Sequence, residues 1–136
     1  MSSSILIDTS FVVALVNRRD EHHQEALALS YQVETSTTVV TDAILTEIAS
    51  FLARGYKKEA VATIERLIAS PQVRVVHVTP SLFERGFALY KEYQDMTWSL
   101  VDCISFVVMR DEDIQQALTL DHHFQQAGFV ALMRKD

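Results

Sequence analysis

The chain is poor in the residues that define several protein classes. It has one cysteine, three glycines and two prolines in 136 residues, and its formal charge is −6. A single Cys103 excludes an internal disulfide and points to a reducing compartment. It sits in an apolar run with no His or Cys nearby, so it reads as a buried structural thiol. Three scattered glycines cannot build a phosphate-binding Gly-rich loop, and neither Gly-x-Ser-x-Gly nor His-Glu-x-x-His occurs. So few Gly and Pro residues also leave no linker, repeat or low-complexity segment. No apolar run reaches membrane-span length, and the N-terminus lacks a basic stretch followed by a long apolar one. A soluble, cytoplasmic protein is expected. The acidic balance argues against binding nucleic acid through a broadly basic surface. Local basic groups remain at Arg18-Arg19, at Arg54 with Lys57-Lys58, and at Arg134-Lys135.

Nearly half of the residues are hydrophobic, enough for one domain, residues 1–136, with its own core. Short aliphatic runs at 5–8, 37–40, 73–78, 117–120 and 130–133 suit strands covered on both faces. Helical patterns at 10–17, 19–31, 42–54, 57–69, 80–93, 99–109 and 122–126 alternate with them. Thr79 and Pro80 mark a helix start, and Gly55 a helix end. In 42–54 the apolar positions 44, 45, 48, 51 and 52 form one face. The alternation predicts an α/β fold: a three-layer α/β/α sandwich around a mostly parallel sheet of about five strands.

Four acids sit in or directly after apolar segments: Asp8, Glu47, Asp102 and Asp121. Asp8 and Asp121 both follow strands, and ligands of open α/β sheets bind beyond the carboxyl ends of strands. Capping the next helix is the ordinary alternative for each of these two. Glu47 borders the buried stripe of its helix, where pairing with Arg54 would also explain it. Asp102 interrupts a helix that is apolar almost all round, with Ser99 and Ser105 at helical spacing, which points it into a cleft. Clustered carboxylates repel one another unless a cation sits among them. Oxygen donors in this number favour Mg²⁺ or Mn²⁺ over zinc. His22, His23, His77 and His123 read as surface residues, while His122, beside Asp121, is the one placed to reach a metal or phosphate.

With these segments the chain resembles the PIN-domain ribonucleases, and within them the small VapC-type toxins of toxin–antitoxin pairs. The resemblance runs the full length through Ile7-Asp8-Thr9-Ser10-Phe11, Thr41 to Glu47, Trp98 to Phe106 with Asp102 inside it, and Ala117 to Phe124 with Asp121. It implies Mg²⁺- or Mn²⁺-dependent endonucleolytic hydrolysis of RNA. Asp8, Glu47, Asp102 and Asp121 would be the catalytic, metal-holding quartet, with Thr9, Ser10 and Ser99 in support. It also implies a homodimer and a small antitoxin protein as partners. Phe83, Phe87, Tyr90, Tyr93 and Trp98 are read mainly as core, an apolar face for such a partner being their other use. Two departures stand out. His122 and His123 replace a further acid found in many relatives, leaving a second metal short of a ligand. Asp111-Glu112-Asp113 replaces a glycine before the fourth strand, and its charge is expected on a loop away from the site. A PIN fold kept only as an interaction module is the competing reading, against which the four retained acids argue. A response-regulator receiver would need a lysine at the end of a late strand, and none is so placed. A haloacid-dehalogenase-like phosphatase would need an acid where Ser10 stands.

Overall fold

The computed structural model describes residues 3–134; Lys135 lies outside the described residues. Five short strands form one sheet: β1 (Ile5–Ile7), β2 (Thr38–Thr41), β3 (Val73–Val76), β4 (Gln116–Leu118) and β5 (Val130–Ala131). Their order is β3-β2-β1-β4-β5, and every pairing is parallel. Parallel pairing requires crossovers. Helices α1 (Thr9–Val16) and α2 (His23–Gln32) join β1 to β2, and α3 (Asp42–Leu52) and α4 (Lys57–Ala69) join β2 to β3. Helices α5 (Pro80–Glu92) and α6 (Leu100–Asp111) return the chain to β4, and α7 (His123–Gln126) leads to β5.

The first two crossovers step one way across the sheet and the later ones step the other. Right-handed connection therefore puts α1–α4 on one face and α5–α7 on the other. The helix packing divides accordingly, α1 against α2 and α3, α3 against α4, and α5 against α6. Sequence and structure thus agree on an α/β sandwich with five parallel strands. All strands but β2 are shorter than the aliphatic runs: residues 77–78 and 132–133, for example, lie beyond β3 and β5, while β2 keeps four residues shifted on by one.

Local chemistry sets the helix starts. Thr41 Oγ1 accepts from the Ile44 amide at 3.1 Å, and Thr79 Oγ1 from the Leu82 amide at 3.1 Å ahead of Pro80. Ser99 and Asp102 make a reciprocal capping box on α6, each side chain accepting from the other's amide at 3.0 Å. Gly55, at φ 91°, turns the chain from α3 into α4. Every residue of α6 from 102 to 109 is buried, Cys103 among them. Phe106 anchors that core edge-on against Trp98 and Phe124, at 5.1 and 5.0 Å between ring centroids.

Three aromatics depart from the expected core. Leu82, Gly86 and Leu89 turn inward on α5, which leaves Phe83, Phe87 and Tyr90 on its outer flank, exposed and stacked at 6.3 Å spacing. The acidic run before β4 starts on the last residue of α6, Asp111, with Glu112 and Asp113 in the turn beyond, and it is paired: Arg85 grips Asp111 with two 2.7 Å hydrogen bonds, and Arg74 pairs with Glu112. No helix among the described residues is long and apolar enough to cross a membrane.

Candidate active site

The strand order reverses direction between β1 and β4, and such a reversal opens a crevice at the carboxyl ends of the two strands. Asp8 follows β1 and Asp121 closely follows β4, so both reach this crevice. Glu47 comes from α3 and Asp102 from the first turn of α6. All four acids line one cavity of about 390 Å³, together with Thr9, Ser10, Ser99 and His123. Among the described residues no lysine or arginine lines it.

Asp8 is 4% exposed. Its side chain makes no cap to α1, which removes the ordinary explanation for a buried acid there. Instead Oδ2 accepts from Thr119 Oγ1 at 2.7 Å and from Ser10 Oγ at 3.1 Å. Thr119 also accepts from the Asp121 amide at 3.0 Å, and Ser10 accepts from the Leu120 amide at 3.0 Å. These hydroxyls stitch the end of β4 to Asp8. Burial pushes the Asp8 carboxyl up from 3.8 to about 6, opposed by Thr119 and Ser10 and reinforced by the charge of Asp102.

Glu47 accepts a hydrogen bond from Thr9 Oγ1 rather than pairing with Arg54. Its carboxyl is raised by burial and by the charges of Asp102 and Asp121, with the Thr9 bond opposing. Asp102, 7% exposed, uses Oδ2 for both the Ser99 amide and His123 Nδ1, each at 3.0 Å. Burial raises it, and Asp121 adds to that, while Ser99 and His123 act the other way.

His123 corrects the reading of the histidines. Its side chain is only 16% exposed, and Nδ1 lies 3.0 Å from Asp102 Oδ2 and 3.1 Å from Asp121 Oδ1. Nε2 meets Thr97 Oγ1 at 3.0 Å. His122, by contrast, is half exposed and 3.7 Å from Asp121. The one-turn helix α7 starts at His123, and the His123 amide is held by Asp121 Oδ1 at 2.9 Å, which swings the ring inward. Ser105 is not in the cavity; its hydroxyl is buried with no hydrogen-bond partner among the described residues.

Two contributors escaped the sequence. Thr119 is the lone polar residue in an aliphatic strand run, two before Asp121, which is the signal that it faces the same edge. Asp20, a fifth acid on the cavity wall, lies in the turn before α2, where Oδ1 accepts from the His22 amide at 2.8 Å. The expected helix over 19–31 hides that turn.

The donor set fits a divalent cation. Four carboxylates share a cavity with no lysine or arginine on its wall among the described residues, and three of them are raised partly by one another's charge. A hard cation relieves that repulsion and accepts oxygen donors. The neighbouring trio of Asp121, His122 and His123 brings its donor atoms within 4.8 Å, but His123 Nδ1 is engaged by Asp102.

A parallel five-stranded sheet with acids gathered at its switch point defines the class, and the PIN domain pattern matches residues 5–130. This chain belongs to the PIN-domain family. It is 34% identical over 126 residues to the 23S rRNA-specific endonuclease VapC20 of Mycobacterium tuberculosis, covering 93% of this chain and 95% of that protein. The same identity and coverage hold for VapC20 of a second strain. The crystal structure of M. tuberculosis VapC20, a sarcin–ricin loop cleaving toxin, aligns with a TM-score of 0.84 at 32% identity, over 93% of this chain and 96% of that one.

Proposed function

We propose that residues 1–136 form one nuclease domain that cleaves RNA endonucleolytically in the cytoplasm, as the toxin of a toxin–antitoxin pair. The observation that carries this reading is the convergence of Asp8, Glu47, Asp102 and Asp121 on one cavity with no lysine or arginine on its wall among the described residues. The similarity to VapC20 over nearly the whole of both chains supports it. That relative's 23S rRNA specificity makes a structured ribosomal RNA loop the first substrate to try. A small antitoxin protein and a second copy of the chain are the proposed partners.

Asp8, Glu47, Asp102 and Asp121 would hold Mg²⁺ or Mn²⁺. The cation supplies a lowered pKa to an attacking water and positive charge against the developing charge on phosphorus and the leaving oxygen. The protein's own residues prepare this. Thr119 and Ser10 donate to Asp8 and hold its carboxylate ionised and aimed, against the effect of burial. Thr9 fixes Glu47, and Ser99 fixes Asp102 through the capping box. His123 sits between Asp102 and Asp121 and keeps them at one spacing. No side-chain nucleophile is involved. Hydroxyls and backbone amides thus orient the acids before any substrate arrives, so little reorganisation is left for the reaction.

The test is cleavage of a sarcin–ricin stem-loop RNA by purified protein with Mg²⁺ or Mn²⁺, with and without EDTA, beside Asp8→Asn and Asp102→Asn. Cleavage is expected only for wild type with metal. Equal cleavage by both variants after repurification overturns the assignment.

A further inference from the structure

In a chain of formal charge −6, three arginines share one groove. Arg18 and Arg19 follow α1, Arg66 lies on α4, and together with Tyr56 and Val16 they line a cavity of about 710 Å³. All three arginines are exposed, and no described residue forms an ion pair with their side chains. Glu59 is the one acid on the groove's wall. Exposed arginines are often mere solvated charge. Here the groove and the acid cavity lie along the same pair of helices, α1 and α3.

Helices α1 and α3 both start at the carboxyl edge of the sheet and pack along each other. At their starts Thr9 bonds Glu47, beside the acids. About one turn further, Val13 and Phe51 still line the acid cavity. At the far end Tyr56 OH donates to Asn17 Oδ1 at 2.8 Å, where the arginine groove begins. The rise of a helix puts Thr9 and Asn17 about 12 Å apart. Phe51, between the two ends, is 67% exposed, a large ring with no core to fill.

Resting on the reading of the cavity as an RNA-cleaving site, we propose that the RNA strand leaves the acids over Phe51 and enters the arginine groove. Phe51 stacks on an unpaired base, a contact open to any base because each has a π-face. Arg18, Arg19 and Arg66 hold the backbone beyond it, their planar forks matching phosphate oxygens two at a time. The electrostatics require such a groove. The acid cavity repels a phosphate chain until a cation enters, so the affinity for RNA must be generated beside it rather than within it.

The experiment uses Asp8→Asn protein, which binds without cutting, and a fluorescein-labelled sarcin–ricin stem-loop RNA in Mg²⁺, followed by anisotropy across a salt series. Arg18→Ala/Arg19→Ala is expected to weaken binding about ten-fold or more and to flatten the dependence of log K on log salt by about 1.4, with Arg66→Ala flattening it by about 0.7. Phe51→Ala is expected to weaken binding roughly ten-fold with the salt slope unchanged. A charge-matched Lys91→Ala/Arg110→Ala control is expected to keep both affinity and slope. Failure of wild type to cut any RNA removes the reading of the cavity and this proposal with it. Cutting by wild type, with affinity and slope unchanged in the arginine variants, overturns the groove alone. Equal losses in the control pair overturn it as a general charge effect. Intact RNA binding with a weakened grip on an acidic peptide assigns the groove to a protein partner and overturns it as well.

Discussion

Thr119 Oγ1 donates to Asp8 Oδ2 at 2.7 Å while accepting from the Asp121 amide at 3.0 Å. One hydroxyl thereby couples two acids that lie at the ends of neighbouring strands.

Replacing Thr119 by Val keeps the shape and removes the donor. The buried Asp8 carboxylate then loses its shortest hydrogen bond, and the Asp121 amide loses its acceptor. Stability is expected to fall by about 1–3 kcal/mol, and the acid limb of the cleavage pH profile to move upward, because the Thr119 hydrogen bond is the largest influence opposing the upward push of burial on the Asp8 carboxyl. Urea melts and rate–pH curves check both. An unshifted pH profile would contradict this role for Thr119.

Metal-free protein should be more stable near pH 5.5 than near pH 8. Asp8 binds its proton more tightly when folded, at about 6, than at its ordinary 3.8. The stabilisation from that proton is complete below about 3.8 and is lost as pH rises through about 6. Over the whole span from below 3.8 to above 6 that is roughly 3 kcal/mol, of which about 0.8 kcal/mol falls between pH 5.5 and pH 8. Glu47 and Asp102, also raised, act in the same direction. Asp111, held low by Arg85, and Asp42, held low by the Val78 amide and His77 despite slight burial, weaken the fold only at more acid pH. Mg²⁺ or Mn²⁺ is expected to raise Tm far more at pH 8 than at pH 5.5, which a thermal-shift titration reads directly.

Asp8→Asn removes a buried charge that lacks a cationic partner. Without metal at pH 8 the variant is expected to be more stable than wild type by on the order of 2 kcal/mol, while losing cleavage and most of the metal-induced rise in Tm. A less stable variant with cleavage intact would oppose both parts.

His123→Asn keeps an N–H near the position of Nδ1, whereas His123→Ala leaves Asp102 and Asp121 facing each other unbridged. Cleavage is expected to drop about ten-fold for Ala, the scale of an outer-shell partner, and little for Asn. Single-turnover rates at saturating metal distinguish the two.

Gly86→Ala tests the α5–α6 seam. An added Cβ would meet Ile104 Cγ1 at 2.6 Å and Ile104 Cα at 3.3 Å. Overpacking of about 1–3 kcal/mol outweighs the gain in helix propensity, so Tm should fall while the cleavage rate of the folded fraction holds.

The elements were legible in the sequence because aliphatic runs and helical stripes carry their own period. The acids were legible because each interrupts such a run. Phe51 was misread: it shares a spacing with Ile44 and Ile48, but the buried stripe of α3 runs through Ile44, Leu45, Ile48 and Leu52, which leaves Phe51 on the flank beside Glu47. His123 was misread because adjacent histidines look alike until α7 chooses which one turns inward. Thr119 needed the fold itself, since its partner Asp8 lies at the end of a strand far away in the chain, and Asp20 needed the turn that brings it to the cavity wall. The exposure of Phe83, Phe87 and Tyr90 likewise follows from which flank of α5 meets α6.

The bond from Thr119 to Asp8 spans 111 positions. A chain still being synthesised therefore carries Asp8, Glu47 and Asp102 without the residues that close the cavity. The proposed nuclease would then stay inactive until the fourth strand has left the exit tunnel and docked. Order of synthesis becomes a safety catch, set by the topology of the sheet.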